Sequence, residues 1–597
     1  MKKIYFVLCC AFLLNAGFVQ ALPDGMSLVS DSLTLSTADE INHAKCTKPI
    51  VVLPDNTLVF TASYASTGDE LFKCKNGVVS LIKDIVPGST GSDPKYLTVI
   101  GSKVYFTANT ADAGAELWVT DGTAEGTHII KDIYPGTTSS SPFGLTNFKG
   151  KLLFFAKDED SELNPVIDAS TPESWLWVSD GTADGTVRIA DVPTRTGIDG
   201  NFGYIIPCGN KAFFIGYHKD YNETLFTTDG TAAGTAVVTD VYPKPAESGN
   251  FKTQAATIDW MYNCNDERVI FRANTYSGGK DYGSEIWTSD GTAAGTKWIG
   301  VDYAAGESDG VAKNTEFAFP IYYGGKCYFR AKDGVHGCEP GVTDFTAEGT
   351  HYVCDINFWN NDPSCDSWGP EFPYIWKGYM FCQANGSYYY PADTYHDSGY
   401  CLWRYNLAEN GVTPTTSNGL TGFQYQSNWT NGVEIYAGNN SDNPKWFCAC
   451  GDKLFFHATD QSSNSELWVM DSVNATPRKV VDMEGNTAPY FMTAVGNDLY
   501  FVTTTTKALY KYSVATSSLN SIADNKLQIV YTNNDSKLTL KGNVSVASVS
   551  LFTIAGTSRA AFNGNQTSYN LSGLPAGMYL VRVVDKNGLV YTSKIIR

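Results

Sequence analysis

The sequence is poor in positive charge, in histidine and in long apolar runs. Its 597 residues include 43 Lys and Arg against 62 Asp and Glu, which gives a formal net charge of −19, and only 7 His. A chain this acidic is expected to avoid nucleic acid and anionic membrane surfaces. Beyond the N-terminal 21 residues, no apolar run is long enough to span a bilayer. We therefore predict no transmembrane segment.

Recognisable catalytic and metal-binding patterns are also missing. The sequence has no HExxH, no phosphate-binding Gly-rich loop, no EF-hand loop and no paired CxxC motifs. Its one G-x-S-x-G, at 306–310, lies in a repeat loop with no helical pattern after it, as a nucleophile elbow would require. We predict no cofactor, and Ca²⁺ stays open only because the chain is acidic. Whether the chain is an enzyme is left open.

The N-terminus has the pattern of a secretory signal peptide. Lys2 and Lys3 precede an apolar run, and small residues lead up to Ala21. We predict a signal peptide over residues 1–21, cleaved between Ala21 and Leu22. Residues 22–46 form an N-terminal segment before the repeats begin.

One motif returns along the chain. Its first clear copy reads ELWVTDGTAEGT, in which Leu117 and Val119 share one face of a strand and Asp121-Gly122 ends that strand. The copies lie at 116–127, 175–186, 224–235 and 285–296, with an eroded copy at 339–350. Repetition at intervals of about 50 to 60 residues predicts one supersecondary unit built many times.

The aspartate of the motif has two interpretations. It could hold a metal or a ligand on each loop, or it could build the turn. We favour the turn, because every copy needs a turn and few would need a site. The aspartates predicted to build it are Asp121, Asp180, Asp229 and Asp290.

A second pattern of two strands precedes each motif, so the repeat unit has four short strands. This predicts an all-β chain in which residues 47–525 form a β-propeller of eight or nine units. The first unit starts with an extra strand, PIVVLPD at 49–55, and the last unit lacks one. We predict that this strand completes the last unit and closes the ring. The recurrent motif aromatic, such as Trp118, is expected to pack between neighbouring units. The motif resembles that of the ELWxxDGT-repeat proteins secreted by bacteria, which implies a propeller-like repeat and transfers no catalytic residues.

Residues 357–447 break the rhythm of the repeats and are rich in aromatic residues, Asn, Gly and Ser. Aromatic rings can stack on pyranose rings, so these residues could bind a glycan, although several of them must belong to the core of an elaborated unit. The candidate ligand-binding residues are Trp359, Trp368, Trp376, Tyr389 and Trp429.

Twelve of the 14 cysteines follow the signal peptide, because Cys9 and Cys10 lie inside it. In an exported protein an even number permits disulfides. Three pairs each fall within one predicted unit: Cys46 with Cys74, Cys327 with Cys338, and Cys382 with Cys401.

The character of the sequence changes after Asn525. Alternating apolar residues and Asn, Asp and Gly turns over 527–597 predict a small Ig-like β-sandwich. The stretches 549–557 and 571–583 and the final TSKIIR, with Lys594, resemble the type A C-terminal sorting domain of the Bacteroidetes type IX secretion system. The resemblance implies handling by that machinery, passage through the periplasm, removal of the tail, and an extracellular or outer-membrane surface location.

These features favour a secreted or cell-surface propeller that binds a glycan or a protein without catalysis. Two alternatives stay open: a polysaccharide-degrading enzyme that uses carboxylates, and a purely structural surface protein.

Overall fold

The structure is a computed structural model. It describes these residues: 26–30, 34–35, 50–163, 173–195, 205–218, 222–242, 258–277, 280–299, 317–332, 338–353, 370–390, 394–407, 443–459, 465–481, 488–504, 507–514, 528–532, 536–541, 545–553, 558–564, 566–575, 577–586 and 590–596. The chain divides into two compact units, residues 1–513 and 514–597. Within the described residues, no helix has both the length and the apolar character needed to cross a membrane.

The first unit consists almost wholly of antiparallel strands. The strands of its first half are β1 (Met26–Ser30), β2 (Thr34–Leu35), β3 (Ile50–Val52), β4 (Leu58–Tyr64), β5 (Gly68–Lys75), β6 (Val78–Lys83), β7 (Lys95–Ile100), β8 (Lys103–Thr110), β9 (Gly114–Thr120), β10 (His128–Lys131), β11 (Phe143–Phe148), β12 (Lys151–Ala156), β13 (Glu173–Ser179), β14 (Val187–Arg195), β15 (Ile206–Cys208), β16 (Lys211–His218), β17 (Asn222–Thr228) and β18 (Ala236–Thr239). One helical turn, α1 (Asp160–Leu163), lies between β12 and β13.

The second half continues in the same way. Its strands are β19 (Ile258–Cys264), β20 (Arg268–Ser277), β21 (Lys280–Ser289), β22 (Lys297–Trp298), β23 (Ala318–Tyr323), β24 (Lys326–Lys332), β25 (Cys338–Thr343), β26 (His351–Tyr352), β27 (Glu371–Trp376), β28 (Tyr379–Tyr390), β29 (Thr394–Asn406), β30 (Lys445–Cys450), β31 (Lys453–Thr459), β32 (Ser465–Met470), β33 (Arg478–Val481), β34 (Pro489–Val495), β35 (Asp498–Thr503) and β36 (Leu509–Ser513).

Among the described residues these strands form nine sheets, numbered here along the chain. Sheet 1 is β2–β6, sheet 2 β7–β10, sheet 3 β11–β14, sheet 4 β15–β18, sheet 5 β19–β22, sheet 6 β23–β26, sheet 7 β27–β29, sheet 8 β30–β33, and sheet 9 β34–β36 with β1. The repeat unit is thus a small antiparallel sheet, as the sequence predicts.

The core lies between successive sheets. The second strand of each sheet is a continuous apolar run, such as Leu152–Phe155, because both of its faces are covered. Trp118 is one example of the motif aromatic: it packs with residues of sheets 1 and 2 in one cluster. This confirms the predicted packing role of that ring.

In sheet 1, β3 takes the place that the first strand has in the other sheets. With β3 counted in that way, the first strand of each sheet contacts the first strand of the next, and β34 of sheet 9 contacts β3 in turn. One apolar cluster also joins sheets 9 and 1 through residues such as Ile50 and Val502. The many four-stranded antiparallel sheets and their serial contacts are consistent with a β-propeller.

The strand predicted to complete the last unit is the wrong one. Ile50–Val52 pairs with β4 inside sheet 1, and the strand that pairs with β36 is Met26–Ser30, with Met26 opposite Tyr512. Ile50–Val52 pairs within its own sheet because β2 covers only Ala62 and Ser63 on this edge of β4 and leaves the rest of the edge open to it.

The second unit has two sheets. Its strands are β37 (Gln528–Thr532), β38 (Lys537–Lys541), β39 (Val546–Thr553), β40 (Ser558–Asn563), β41 (Ser568–Asn570), β42 (Met578–Asp585) and β43 (Val590–Ile596). The orders are β37-β38-β41 and β40-β39-β42-β43. Leu538 of the first sheet and Leu551 and Val581 of the second share one apolar core.

Candidate ligand-binding site

The repeated aspartate builds its own turn. The backbone N–H and the hydroxyl of Thr123 both donate to Asp121 Oδ1, at 2.9 and 2.7 Å. The Thr127 hydroxyl donates to the Thr123 carbonyl at 2.6 Å and lies 2.7 Å from the Thr120 hydroxyl. Equivalent bonds to the aspartate occur at Asp180, Asp229, Asp290 and Asp344. The Thr123 bonds hold the pKa of Asp121 below its ordinary value.

These turns also connect neighbouring sheets. Lys73 of sheet 1 donates to the Gly122 carbonyl of sheet 2 at 2.6 Å. Lys131 of sheet 2 donates to the Thr186 carbonyl of sheet 3 at 2.8 Å. These charge-assisted bonds to backbone carbonyls give the turns of sheets 2 and 3 a structural role between sheets.

The glutamate that opens the motif is buried and organises the next connection. Glu116 is 0 % exposed. Its Oε2 accepts bonds from the Ile133 N–H at 3.0 Å and the Ser140 hydroxyl at 2.5 Å, and its Oε1 accepts one from the Ser140 N–H at 2.9 Å. Burial raises the pKa of Glu116 to about 7, although these bonds oppose the rise. Motif glutamates are also buried at Glu70, Glu285, Glu339 and Glu466.

The opposite ends of the sheets carry a different repeated feature. In seven of the described first strands, a β-bulge near the strand start places one residue with positive φ. In sheet 3 this residue is Gly144, at φ 65°. In the other six it is aromatic, with φ between 50° and 59°: Tyr96, Trp260, Phe319, Phe372, Trp446 and Phe491. We call these six residues the aromatic belt.

Left-handed backbone is unfavourable for a bulky side chain, and such outliers cluster at binding sites. Gly144 occupies the same bulge without that cost. The bulge itself therefore does not require an aromatic residue. All six rings are half-buried, so part of each remains exposed.

Neighbouring belt residues contact one another from sheet to sheet. The ring centroids of Trp260 and Phe319 are 4.9 Å apart, and those of Phe319 and Phe372 are 5.4 Å apart. Trp446 and Phe491 are 5.3 Å apart. Five successive sheets, 5 to 9, thus contribute rings to the belt.

Two ion pairs lie next to the belt. Arg272 makes a two-point ion pair with Asp259, the residue before Trp260. Arg330 of sheet 6 bonds Glu371 of sheet 7 at 2.6 Å, and its guanidinium lies 5.1 Å from the Phe319 ring. Burial raises the pKa of Glu371, and the charge of Arg330 opposes the rise.

One further cation lies at the belt. Lys445 Nζ is 5.3 Å from the Phe372 ring. Burial, and secondarily the charge of Lys445, lowers the pKa of the adjacent His457 to about 4, so this imidazole is neutral at pH 7. With Arg272 and Arg330 matched by Asp259 and Glu371, the described charges next to the belt sum to about one positive charge.

Topology places the belt away from the repeated turns. In an antiparallel sheet, the start of the first strand and the end of the third strand lie at opposite ends of the sheet, measured along the strand direction. Two hairpins run on from the belt side: β20–β21 in sheet 5, and β28–β29 in sheet 7. In sheet 7 the pairing continues seven residues beyond Gln383, to Tyr390. The belt therefore lies at the base of these extended hairpins.

The structure places the predicted ligand-binding residues in different parts of the chain. Trp376 is 5 % exposed and packs in the core between sheets 7 and 8, which leaves it no face for a ligand. The structure assigns this residue to the core instead. Tyr389 lies in the long hairpin, with its backbone opposite Tyr395. Trp359, Trp368 and Trp429 lie outside the described residues, as do the processing residues Ala21 and Leu22.

The predicted disulfide between Cys327 and Cys338 is not formed. Cys327 lies opposite Thr343 and Cys338 opposite Lys332, at the two ends of one hairpin. Five residues of strand separate them by about 16 Å, and a disulfide needs Cα atoms within about 7 Å. For the other two predicted pairs, Cys74 and Cys382 are buried free cysteines, so neither of those disulfides is formed in the structure. Cys46 and the Cys401 side chain lie outside the described residues.

The sequence carries a signal for the belt that lies outside the DGT motif. The first strands read KYLTVI, EFPYIW and KWFCAC, with an aromatic residue at the second position in each. This shared aromatic position becomes visible only when the first strands of the sheets are aligned with one another, because aligning the copies of the DGT motif does not bring it out. Nothing in a single strand marks it, because aromatic residues are ordinary in strands.

Comparison with known proteins identifies the C-terminal unit. Residues 523–597 match the family described as "Secretion system C-terminal sorting domain". This domain indicates export through the type IX secretion system to the cell surface or the extracellular space. No curated protein matches the chain.

Several solved structures are similar to the chain at low identity. The computationally designed Ika8 protein is 10% identical over 70% of this chain and 95% of its own, with a TM-score of 0.30. Puromycin hydrolase is 10% identical over 83% of this chain and 59% of its own, with a TM-score of 0.29. Prolyl oligopeptidase B from Galerina marginata is 9% identical over 82% and 55%, with a TM-score of 0.31. Scores this low do not bear on activity.

Proposed function

We propose that this chain is a nine-bladed, closed β-propeller that is exported by the type IX system and binds an extracellular glycan or protein without catalysis. The proposed closure is supported by the contact between β34 and β3 and by the pairing of β1 with β36. The proposed Ig-like form of the second unit is supported by its two sheets around one core.

The binding role rests on one observation, the aromatic belt. Six equivalent positions hold bulky rings in a backbone conformation that favours glycine, and each ring is partly exposed. Ring packing stabilises such an arrangement by about 0.5–1.5 kcal/mol per pair. The cost of the left-handed backbone offsets part of that gain. We therefore infer that these residues keep their exposed ring faces to contact a ligand.

For the enzyme alternative, the described carboxyl next to the belt with a pKa raised by burial is Glu371. Its Oε1 is held by Arg330 at 2.6 Å, an arrangement that suits a fixed ion pair more than a proton donor.

The exported protein, purified from culture, should be applied to a glycan array and incubated in parallel with the same polysaccharides while reducing ends are measured. Binding without new reducing ends is the expected result. New reducing ends would favour the enzyme alternative, and silence in both assays would favour a structural role.

A further inference from the structure

The chemistry around the belt is specific enough to choose between ligand classes. Stacking surface is supplied by rings on sheets 5 to 9 and by Tyr96 on sheet 2, whereas sheet 3 presents Gly144 at the same bulge. Five of the six rings therefore lie on successive sheets, and sheet 3 offers a position without a side chain. This asymmetry suits a ligand with one apolar face.

Most of the described charges next to the belt are paired with one another. Arg272 is bound to Asp259 and Arg330 to Glu371, with side chains between 8 and 23 % exposed. An anionic polymer would gain little from arginines already paired and would meet one further cation, Lys445, while the chain's net charge of −19 would repel it. The paired arginines and carboxylates next to the belt still offer hydrogen-bond donors and acceptors to uncharged hydroxyl groups.

We propose that the aromatic belt binds an uncharged polysaccharide, with the apolar faces of its pyranose rings against belt rings and its hydroxyl groups towards the flanking ion pairs. This inference rests on the proposed binding function and adds the ligand class and the residues. Trp260 and Trp446 are the main stacking residues, because they are the largest rings and lie on separate sheets.

The backbone conformation permits a test by ring removal, although Trp260 and Trp446 also pack against buried apolar clusters. At left-handed positions glycine removes a ring without adding strain, and Gly144 shows that the bulge accepts it. The variants are Trp260→Gly and Trp446→Gly in the full chain. Trp298→Ala is the matched control, because Trp298 is also half-buried but lies in β22, the last strand of the sheet that holds Trp260.

Binding should be measured by affinity electrophoresis and calorimetry with soluble neutral polysaccharides (xylan, galactomannan, mixed-linkage β-glucan) and anionic ones (polygalacturonate, heparin). We expect neutral polysaccharides to bind. Each Trp→Gly variant should weaken that binding about two- to tenfold, and Trp298→Ala should leave it unchanged.

Two results would overturn the inference while leaving the binding function intact: binding of anionic polysaccharides only, or neutral binding that both glycine variants retain. Failure to bind any polysaccharide would also overturn it. In that case the separate array, which also carries other glycan classes, decides whether the proposed function survives. Circular dichroism and melting of each variant guard against loss of fold.

Discussion

The carboxylate of Asp121 occupies the space that a side chain on Gly126 would need. A Cβ on Gly126 would lie 2.1 Å from Asp121 Oδ1, and Gly185, Gly234, Gly295 and Gly349 meet their own aspartates in the same way. The second glycine of the motif is therefore a steric requirement of the aspartate turn. The two residues are five positions apart in sequence and act as one unit.

This relationship predicts strong coupling between the two residues. Gly126→Ala should lower the free energy of unfolding by about 1–3 kcal/mol, because the methyl group must displace the carboxylate. In an Asp121→Ala background the same change should cost clearly less. Chemical denaturation of the four proteins in the cycle measures the coupling. Additive effects would contradict the proposed steric conflict.

The buried Glu116 predicts a pH dependence of stability. Its folded pKa of about 7 lies above the ordinary 4.5, so between these values the folded state keeps a proton that the unfolded state loses. The free energy of unfolding from this group should fall as pH rises through that window, by up to about 1.4 kcal/mol per pH unit. Glu116→Gln cannot titrate, so its penalty relative to wild type should shrink from pH 4.5 to pH 7.

Denaturation midpoints at several pH values check this prediction. Glu125→Gln is the control, because Glu125 is exposed in the same motif. If the Glu116→Gln penalty instead grows with pH, then the three short hydrogen bonds outweigh burial and the carboxylate is the stable form.

The N-terminal strand predicts a specific sensitivity in sheet 9. Met26 is 8 % exposed and pairs opposite Tyr512, whereas Leu28 in the same strand is 41 % exposed. Met26→Asp should lower stability by about 2 kcal/mol or more, because it buries an unpaired charge. Leu28→Asp should change stability by less than about 0.5 kcal/mol. Equal melting of the two variants would show that β1 does not hold the first unit together.

The sorting domain predicts where a truncated chain accumulates. Removing the last dozen residues takes away β43 (Val590–Ile596), which pairs with β42 from Met578 to Val584. The truncated protein should remain in the periplasm, while the full chain reaches the surface or the medium. Cell fractionation with a periplasmic marker measures this, and normal surface display of the truncated form would refute the assigned export route.

The sequence alone determined the local chemistry of this protein. The repeated DGT turn depends on contacts within a short stretch. The four-stranded unit, the motif aromatic Trp118 and the C-terminal sorting domain each carry a pattern that can be read along the chain, although Trp118 packs against the neighbouring sheet. Asp121 and Thr123, for example, bond at a separation of two residues in every copy, so their role follows from the chain near them.

Tertiary structure decided which strand pairs with which and which aromatic residues share a surface. Both Ile50–Val52 and Met26–Ser30 can extend a sheet, and only the competition for the edge of β4 assigns the first to sheet 1 and the second to sheet 9. Trp260 and Phe319 are far apart in sequence, and their rings meet because successive first strands lie side by side. Strand pairing and ring contacts depend on register between distant segments, and a local pattern of apolar and polar residues carries no record of that register.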